Sequence, residues 1–139
     1  MRPRLLEEIC TLGKIDETYH ATLEAIILRI EKDGCQVMTR TDISSSTYEA
    51  YPNGLRIARV SLKDVDDPMN IIWRLLHEYG HYKSGERNDS DRTIDREERA
   101  WKEAERLIPD YPDLLARKDH FTQCREHDLG TYRKHLGFL

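Results

Sequence analysis

Apolar residues recur at intervals of three and four along most of the chain, which is the spacing of an amphipathic helix. This spacing predicts helices over residues 5–12, 17–32, 68 to about 85 and 92 or 93 to 108, followed by two helical pieces within residues 113–136. The helix that begins at Pro68 has the clearest start, because Asp66-Asp67-Pro68 combines an Asx N-cap with a proline in the first turn.

The stretch between the second and third of these helices has a different pattern, in which apolar and polar residues alternate. Alternation and turn-forming residues predict three short strands, over residues 35–41, 47–51 and 55–62. Pro52-Asn53-Gly54 is a strong turn signal between the last two strands. We therefore expect an α+β fold, in which a small antiparallel three-stranded sheet packs on the helix from Pro68 and on the surrounding helices.

The length of 139 residues and the mass of 16.4 kDa fit one domain. We expect residues 1–139 to form a single domain, in which the N-terminal helices (residues 1–34) and the C-terminal helices (residues 110–139) are flanking elements.

Charge, hydropathy and cysteine content argue against a nucleic-acid-binding protein, a membrane protein and a disulfide-rich protein. A net charge of −4 argues against a protein whose main task is to bind nucleic acid. The basic residues of the C-terminal segment alternate with Asp119, Glu126 and Asp128, which is typical of a solvated helix face. No apolar run approaches the roughly 20 residues of a membrane span, and the three cysteines include no CxxC pair. These features predict a cytoplasmic protein with reduced thiols and no membrane partner.

The segment His77-Glu78-Tyr79-Gly80-His81 is an HExxH motif within the helix from Pro68. Side chains four residues apart lie on one face of a helix, so His77 and His81 can bind one metal ion. Glu78 lies about 100° further round the helix, where it can take a proton from a water molecule at the metal. The motif predicts one catalytic Zn²⁺ per chain, with Glu78 as the base.

A catalytic zinc ion needs a third protein ligand, and no histidine occurs between residues 82 and 119. On the next helix, Glu97 lies at the centre of the apolar face formed by Ile94, Ala100, Trp101, Ala104, Leu107 and Ile108. An unpaired carboxylate there would be costly, and a metal ion would compensate it. Glu97 is therefore the expected third ligand. Glu98 is the alternative, followed by Asp89, Asp91 and His120.

Residues 75–81 and 97–108 together resemble the ImmA/IrrE family of small bacterial and phage zinc metallopeptidases, which are of the gluzincin type. Glu97 and the small or apolar residues after it fall on the second motif of that family, whereas Arg99 stands where the family usually has another glutamate. The resemblance implies a zincin-like endopeptidase that cleaves a specific repressor or antitoxin-like regulator. It also implies a frequent location on a phage or another mobile element.

The motif and the resemblance together predict a zinc-dependent endopeptidase whose partner is a protein substrate. Tyr79, Tyr82 or a tyrosine from elsewhere in the chain would stabilise the oxyanion. The strand over residues 55–62 would pair with an extended substrate. The alternative is a non-catalytic regulator or toxin-system component that keeps the metallopeptidase fold and binds a partner.

Overall fold

The computed structural model describes residues 3–85 and 92–135. Within these ranges the elements are α1 (Pro3–Leu12), α2 (His20–Lys32), β1 (Gln36–Arg40), β2 (Thr47–Ala50), β3 (Arg56–Ser61), α3 (Pro68–Lys83), α4 (Thr93–Leu107), α5 (Pro112–Leu115) and α6 (Lys118–His135). Short 3₁₀ turns precede α2 at Glu17–Tyr19 and follow α4 at Ile108–Asp110. The α+β class and the three-stranded sheet are confirmed. Among the described helices, none is both long and apolar enough to cross a bilayer.

The sheet is mixed, and the prediction of an antiparallel sheet is wrong for one of its two pairings. The strand order is β1-β3-β2. β2 and β3 form the expected antiparallel hairpin, with Tyr48 opposite Ala58, but β1 runs parallel to β3, with Val37 opposite Ala58. The chain passes from β1 to the far side of the sheet before the hairpin brings β3 back beside it. Val37, Ala58 and Val60 thereby all become buried in the core.

The start of α3 follows from its sequence. The Asp67 carboxylate accepts a hydrogen bond from the Met69 backbone N–H at 2.9 Å, and Pro68 occupies the first turn, where a missing N–H costs nothing. The predicted N-terminus of this helix is confirmed. Its C-terminus is Lys83, and Ser84 caps it.

Helix α3 is the most buried element of the fold. Its residues from Met69 to Gly80 are buried except for Arg74, and the helix contacts β2, β3, α4 and α6. Trp73 and Leu75 belong to one hydrophobic cluster that also includes residues of α1, α2, β1 and β3. The HExxH segment therefore lies in the interior of the molecule, where neighbouring elements fix the positions of its side chains.

Gly80 allows α3 and α4 to approach closely. A Cβ atom added at Gly80 would lie 2.9 Å from the carbonyl carbon of Ala100 and would overlap the oxygen of the same carbonyl group. Because the obstacle is backbone, a side chain at residue 80 would force the two helices apart. The contact explains why a glycine stands in the middle of a helix, where it costs about 1 kcal/mol relative to alanine.

We expect Gly80→Ala to destabilise the protein by about 3 kcal/mol through overpacking. The matched control is Gly130→Ala, because Gly130 is also helical and an added Cβ there meets no atom within 4 Å among the described residues. The control variant should keep its stability or gain up to about 1 kcal/mol from helix propensity. Urea unfolding followed by circular dichroism measures both changes. Equal stability of the two variants would contradict the close approach of the helices.

Candidate metal centre

Side chains of His77, His81 and Glu97 converge from α3 and α4. Each offers one ligand atom, and these atoms lie within 4.8 Å of one another. His77 Nε2 lies 3.2 Å from Glu97 Oε2, and His81 Nε2 contacts the same oxygen. The His77–Glu97 distance is close to the separation of about 3.3–3.6 Å between ligand atoms around a tetrahedral zinc ion with bonds of about 2.0–2.2 Å, whereas the His81 contact is shorter. The structure therefore brings together a buried group that could hold a metal ion.

The chemistry of the three donors fits a divalent transition metal. Two imidazole nitrogens and one carboxylate oxygen form a ligand set that Zn²⁺ accepts in catalytic sites. Structural zinc sites in proteins almost always have four protein ligands, whereas catalytic sites have three and leave the fourth position open. Among the described residues, His77, His81 and Glu97 form a group of three.

Burial distinguishes the two carboxylates that the sequence left as alternatives. Glu97 is 6% exposed and lies on the buried face of α4, beside Ile94 and Ala100. Glu98 is exposed and does not belong to the metal-ligand group. Of these two glutamates, the one that the structure brings to the histidines is Glu97.

The electrostatics of the group favour positive charge between the imidazoles and the carboxylates. Burial by itself lowers the pKa of His77, but the nearby carboxylates of Glu78 and Glu97 outweigh it and hold this pKa well above its usual range. Burial by itself raises the pKa of Glu97, but hydrogen bonds and charge from His77 and His81 hold it well below its usual range. A divalent cation at this position would meet the same attractive field.

Neighbouring side chains fix the orientation of both imidazole rings. Trp101 stacks on His77, with ring centroids 4.3 Å apart and an interplanar angle of 11°. Tyr48 lies parallel to His81, with centroids 6.2 Å apart. His77 Nδ1 lies 3.1 Å from Glu78 Oε2, so its other ring nitrogen, Nε2, faces Glu97. This arrangement selects Nε2 of His77 as the ligand atom.

The metal-ligand group borders a groove of about 650 Å³. The groove lies between residues 44–48, at the start of β2, and helices α3, α4 and α6. His77, Glu78, His81 and Glu97 all line it. Glu78 is only 4% exposed, yet it borders the groove without belonging to the three-residue ligand group. The position suits a base that acts on a molecule held at the metal.

The two tyrosines that the motif suggested as oxyanion donors lie elsewhere. The Tyr79 hydroxyl donates to Asp33 Oδ2, and the Tyr82 hydroxyl donates to the Asp33 carbonyl oxygen, each at 2.6 Å. Neither residue lines the groove. At about 100° per residue, Tyr79 lies about 200° round α3 from His77, so helical spacing alone already places it on the side away from the histidines.

Tyr132 is the tyrosine that α6 brings to the metal-ligand group, and sequence reasoning missed it. Tyr132 lines the groove, and burial together with a hydrogen bond to Glu97 raises its pKa. A signal was available, because Phe121, Cys124, Leu129 and Tyr132 recur at helical spacing, and the first three are buried. This stripe marks the inward face of a helix whose other residues are mostly polar or charged.

His120, a further candidate for the third ligand, does not belong to the group. His120 accepts a hydrogen bond from Trp73 Nε1 at 2.9 Å through Nδ1 and lies 2.8 Å from Asp67 through Nε2, which gives both ring nitrogens a structural partner. Asp89 and Asp91 lie outside the described residues.

The expectation that the strand over residues 55–62 pairs with a substrate is wrong. This strand is β3, which lies in the centre of the sheet and has β1 on one side and β2 on the other. Both of its hydrogen-bonding edges are therefore occupied. β2 is an edge strand, and residues 44–48 at its start line the groove.

Comparison of the chain with protein-family models, with curated proteins and with solved structures finds no match in any of the three. The resemblance to the ImmA/IrrE family thus stays an expectation that rests on the two motifs.

We expect Glu97→Gln to lower zinc affinity by at least about a hundredfold, since even residues that only support a ligand contribute about ten- to a hundredfold. Glu98→Gln, which changes the adjacent exposed carboxylate on the same helix, should leave the affinity within about twofold. Titration of each variant against a chelating dye measures both values. The reverse ranking would mean that α4 presents Glu98 to the histidines.

Proposed function

We propose that the chain is a zinc-dependent endopeptidase, and that it cleaves a specific regulatory protein of the repressor or antitoxin class. The observation that carries the proposal is the convergence of His77, His81 and Glu97 beside a groove that Glu78 also lines. The narrower substrate class, and membership of the ImmA/IrrE family, are supported by the motif resemblance. Because repressors and antitoxins act in the cytoplasm, the proposal places the reaction there.

The ligand set and the groove together support a catalytic rather than a purely structural role. His77, His81 and Glu97 would hold one zinc ion and leave a position open toward the groove. When bound, zinc supplies Lewis acidity, which polarises a peptide carbonyl group and makes water more acidic. A structural ion would need neither a groove nor a carboxylate base beside it.

Glu78 would perform the proton transfers of peptide hydrolysis. Its carboxylate accepts a proton from the attacking water and then delivers this proton to the leaving amine, so that the base is regenerated. The contact of Glu78 Oε2 with His77 Nδ1 at 3.1 Å keeps the carboxylate beside the ligand group. The buried position also shields it from bulk water, which strengthens its electrostatic interactions in the site.

The start of β2 would align the substrate. β2 lies at an edge of the sheet and carries Tyr48, which packs against His81. An extended peptide can add to such an edge through backbone hydrogen bonds. Its scissile bond would then pass close to the histidines.

We expect Glu78→Gln to keep the fold and the bound zinc but to abolish cleavage, because it removes the base and no ligand. His77→Ala should lose both zinc and activity. Zinc-loaded proteins are incubated with a peptide mixture derived from a bacterial proteome, and mass spectrometry detects new termini. Zinc content is measured on the same samples.

Two outcomes would contradict the proposed reaction. One is cleavage by Glu78→Gln at the rate of the parent protein. The other is the absence of new termini when the zinc-loaded parent is incubated with the peptides and with candidate repressor or antitoxin proteins. The second outcome would favour the non-catalytic regulator.

The place of Tyr132 in the groove predicts a role in transition-state stabilisation. Tyr132→Phe should lower kcat by roughly a hundredfold with zinc affinity little changed, as for the loss of one oxyanion donor. Tyr82→Phe is the matched control, because its hydroxyl bonds to the Asp33 backbone instead. Steady-state cleavage of one peptide substrate measures both variants. Equal kcat values for Tyr132→Phe and Tyr82→Phe would show that the Tyr132 hydroxyl does not stabilise the transition state.

A further inference from the structure

The groove contains two arginines whose surroundings differ. Arg74 donates hydrogen bonds to Asp66 and to Asp128, and the three shortest of these are 3.0–3.1 Å long. Both aspartates also line the groove. This guanidinium therefore has two carboxylate partners within the protein. Its charge is compensated, and it is held in place between α3 and α6.

Arg96 differs from Arg74, because one of its side-chain nitrogens lacks a hydrogen-bond partner among the described residues. It lies on α4 directly before Glu97, lines the groove and is half-buried. Its Nε atom is buried, and no hydrogen-bond partner for this atom is found within residues 3–85 and 92–135. A buried donor without a partner costs about 1–3 kcal/mol, so free energy is gained when the Arg96 side chain turns to meet an acceptor that enters the groove.

The neighbouring residues support an acceptor in the groove. Thr93 lies one helical turn before Arg96 and lines the same groove, so its hydroxyl can add a second donor on that face of α4. The fixed fork of a guanidinium matches the two oxygens of a carboxylate. A carboxylate bound there would satisfy the Nε–H and would lie next to the residue that positions the metal.

We propose that Arg96 is a specificity-determining residue that binds a carboxylate of the peptide substrate within the groove. This inference rests on the proposed endopeptidase function. The carboxylate can belong to an aspartate or glutamate side chain or to the C-terminus of the substrate, and the chemistry at Arg96 is the same in both cases. A carboxylate at this subsite would give Arg96 Nε the hydrogen-bond partner that the described residues do not provide.

The first test measures binding without chemistry. The zinc-loaded Glu78→Gln variant, in which the base is absent, is titrated with fluorescent peptide pools that are acetylated at the N-terminus. The pools contain an internal glutamate with a C-terminal amide, the matching glutamine with a C-terminal amide, or this glutamine with a free C-terminal carboxylate. We expect at least about tenfold tighter binding of one carboxylate-bearing pool than of the glutamine amide pool. The preferred pool identifies the source of the carboxylate.

The second test assigns the preference to Arg96. Adding Arg96→Gln to the Glu78→Gln background should abolish the difference between the pools, whereas Arg99→Gln should preserve it. Arg99 is exposed on the same helix and does not line the groove, which makes it a matched control. Arg96→Glu should reverse the preference toward peptides with lysine. Because Arg96→Gln removes a buried donor that lacks a partner, we expect the variant to unfold at the urea concentration of its parent or at a higher one.

The outcomes separate this inference from the proposed function. Equal binding of all three pools, or an unchanged preference in the Arg96→Gln variant, would overturn the assignment of Arg96. If the parent protein cleaves peptides without a preference for acidic residues, the assignment of Arg96 is also overturned, but the peptidase proposal remains intact. A carboxylate preference that depends on Arg96 in a protein that cleaves none of the peptides would support the subsite and contradict the peptidase.

Discussion

The candidate metal centre depends on the carboxylate of Glu97, which lies on a helix face where an apolar side chain would be expected. Glu97 occupies the buried face of α4 and is compensated by His77 and His81 from α3. Burying a charge is costly unless it is paired and hydrogen-bonded, so the two helices must present their polar atoms to each other at short range. Gly80 makes this possible by letting α4 pass directly over the backbone of α3. The packing of the core and the geometry of the metal-ligand group are thus set by one contact between two helices.

Much of this arrangement could be predicted from sequence because its causes are local. The Asx cap and the proline determine where α3 begins, and helical spacing then places His77 and His81 on one face. Glu97 could be selected over Glu98 because it lies in the centre of an apolar stripe, and the stripe indicates which side of α4 is buried. The hairpin of β2 and β3 followed from the turn signal between them. Each of these features depends on residues within a single helix or a single hairpin.

The features that sequence did not predict depend on contacts between distant segments. Alternation indicates a strand but does not identify its neighbour, so the parallel pairing of β1 with β3 was missed, and a central strand was taken as a binding edge. The hydroxyl groups of Tyr79 and Tyr82 bond to Asp33, which lies more than 40 residues away in sequence. Tyr132 reaches the groove from a helix that is distant in sequence. Only tertiary packing determines these positions.

The most direct test of the account is the metal content of the purified protein. Inductively coupled plasma mass spectrometry of the full chain, after dialysis against metal-free buffer and incubation with a small excess of zinc, gives the number of ions retained per chain. The account predicts one zinc ion per chain, since His77, His81 and Glu97 form one complete set of three ligands. A chain that is folded by circular dichroism and retains no zinc would contradict it.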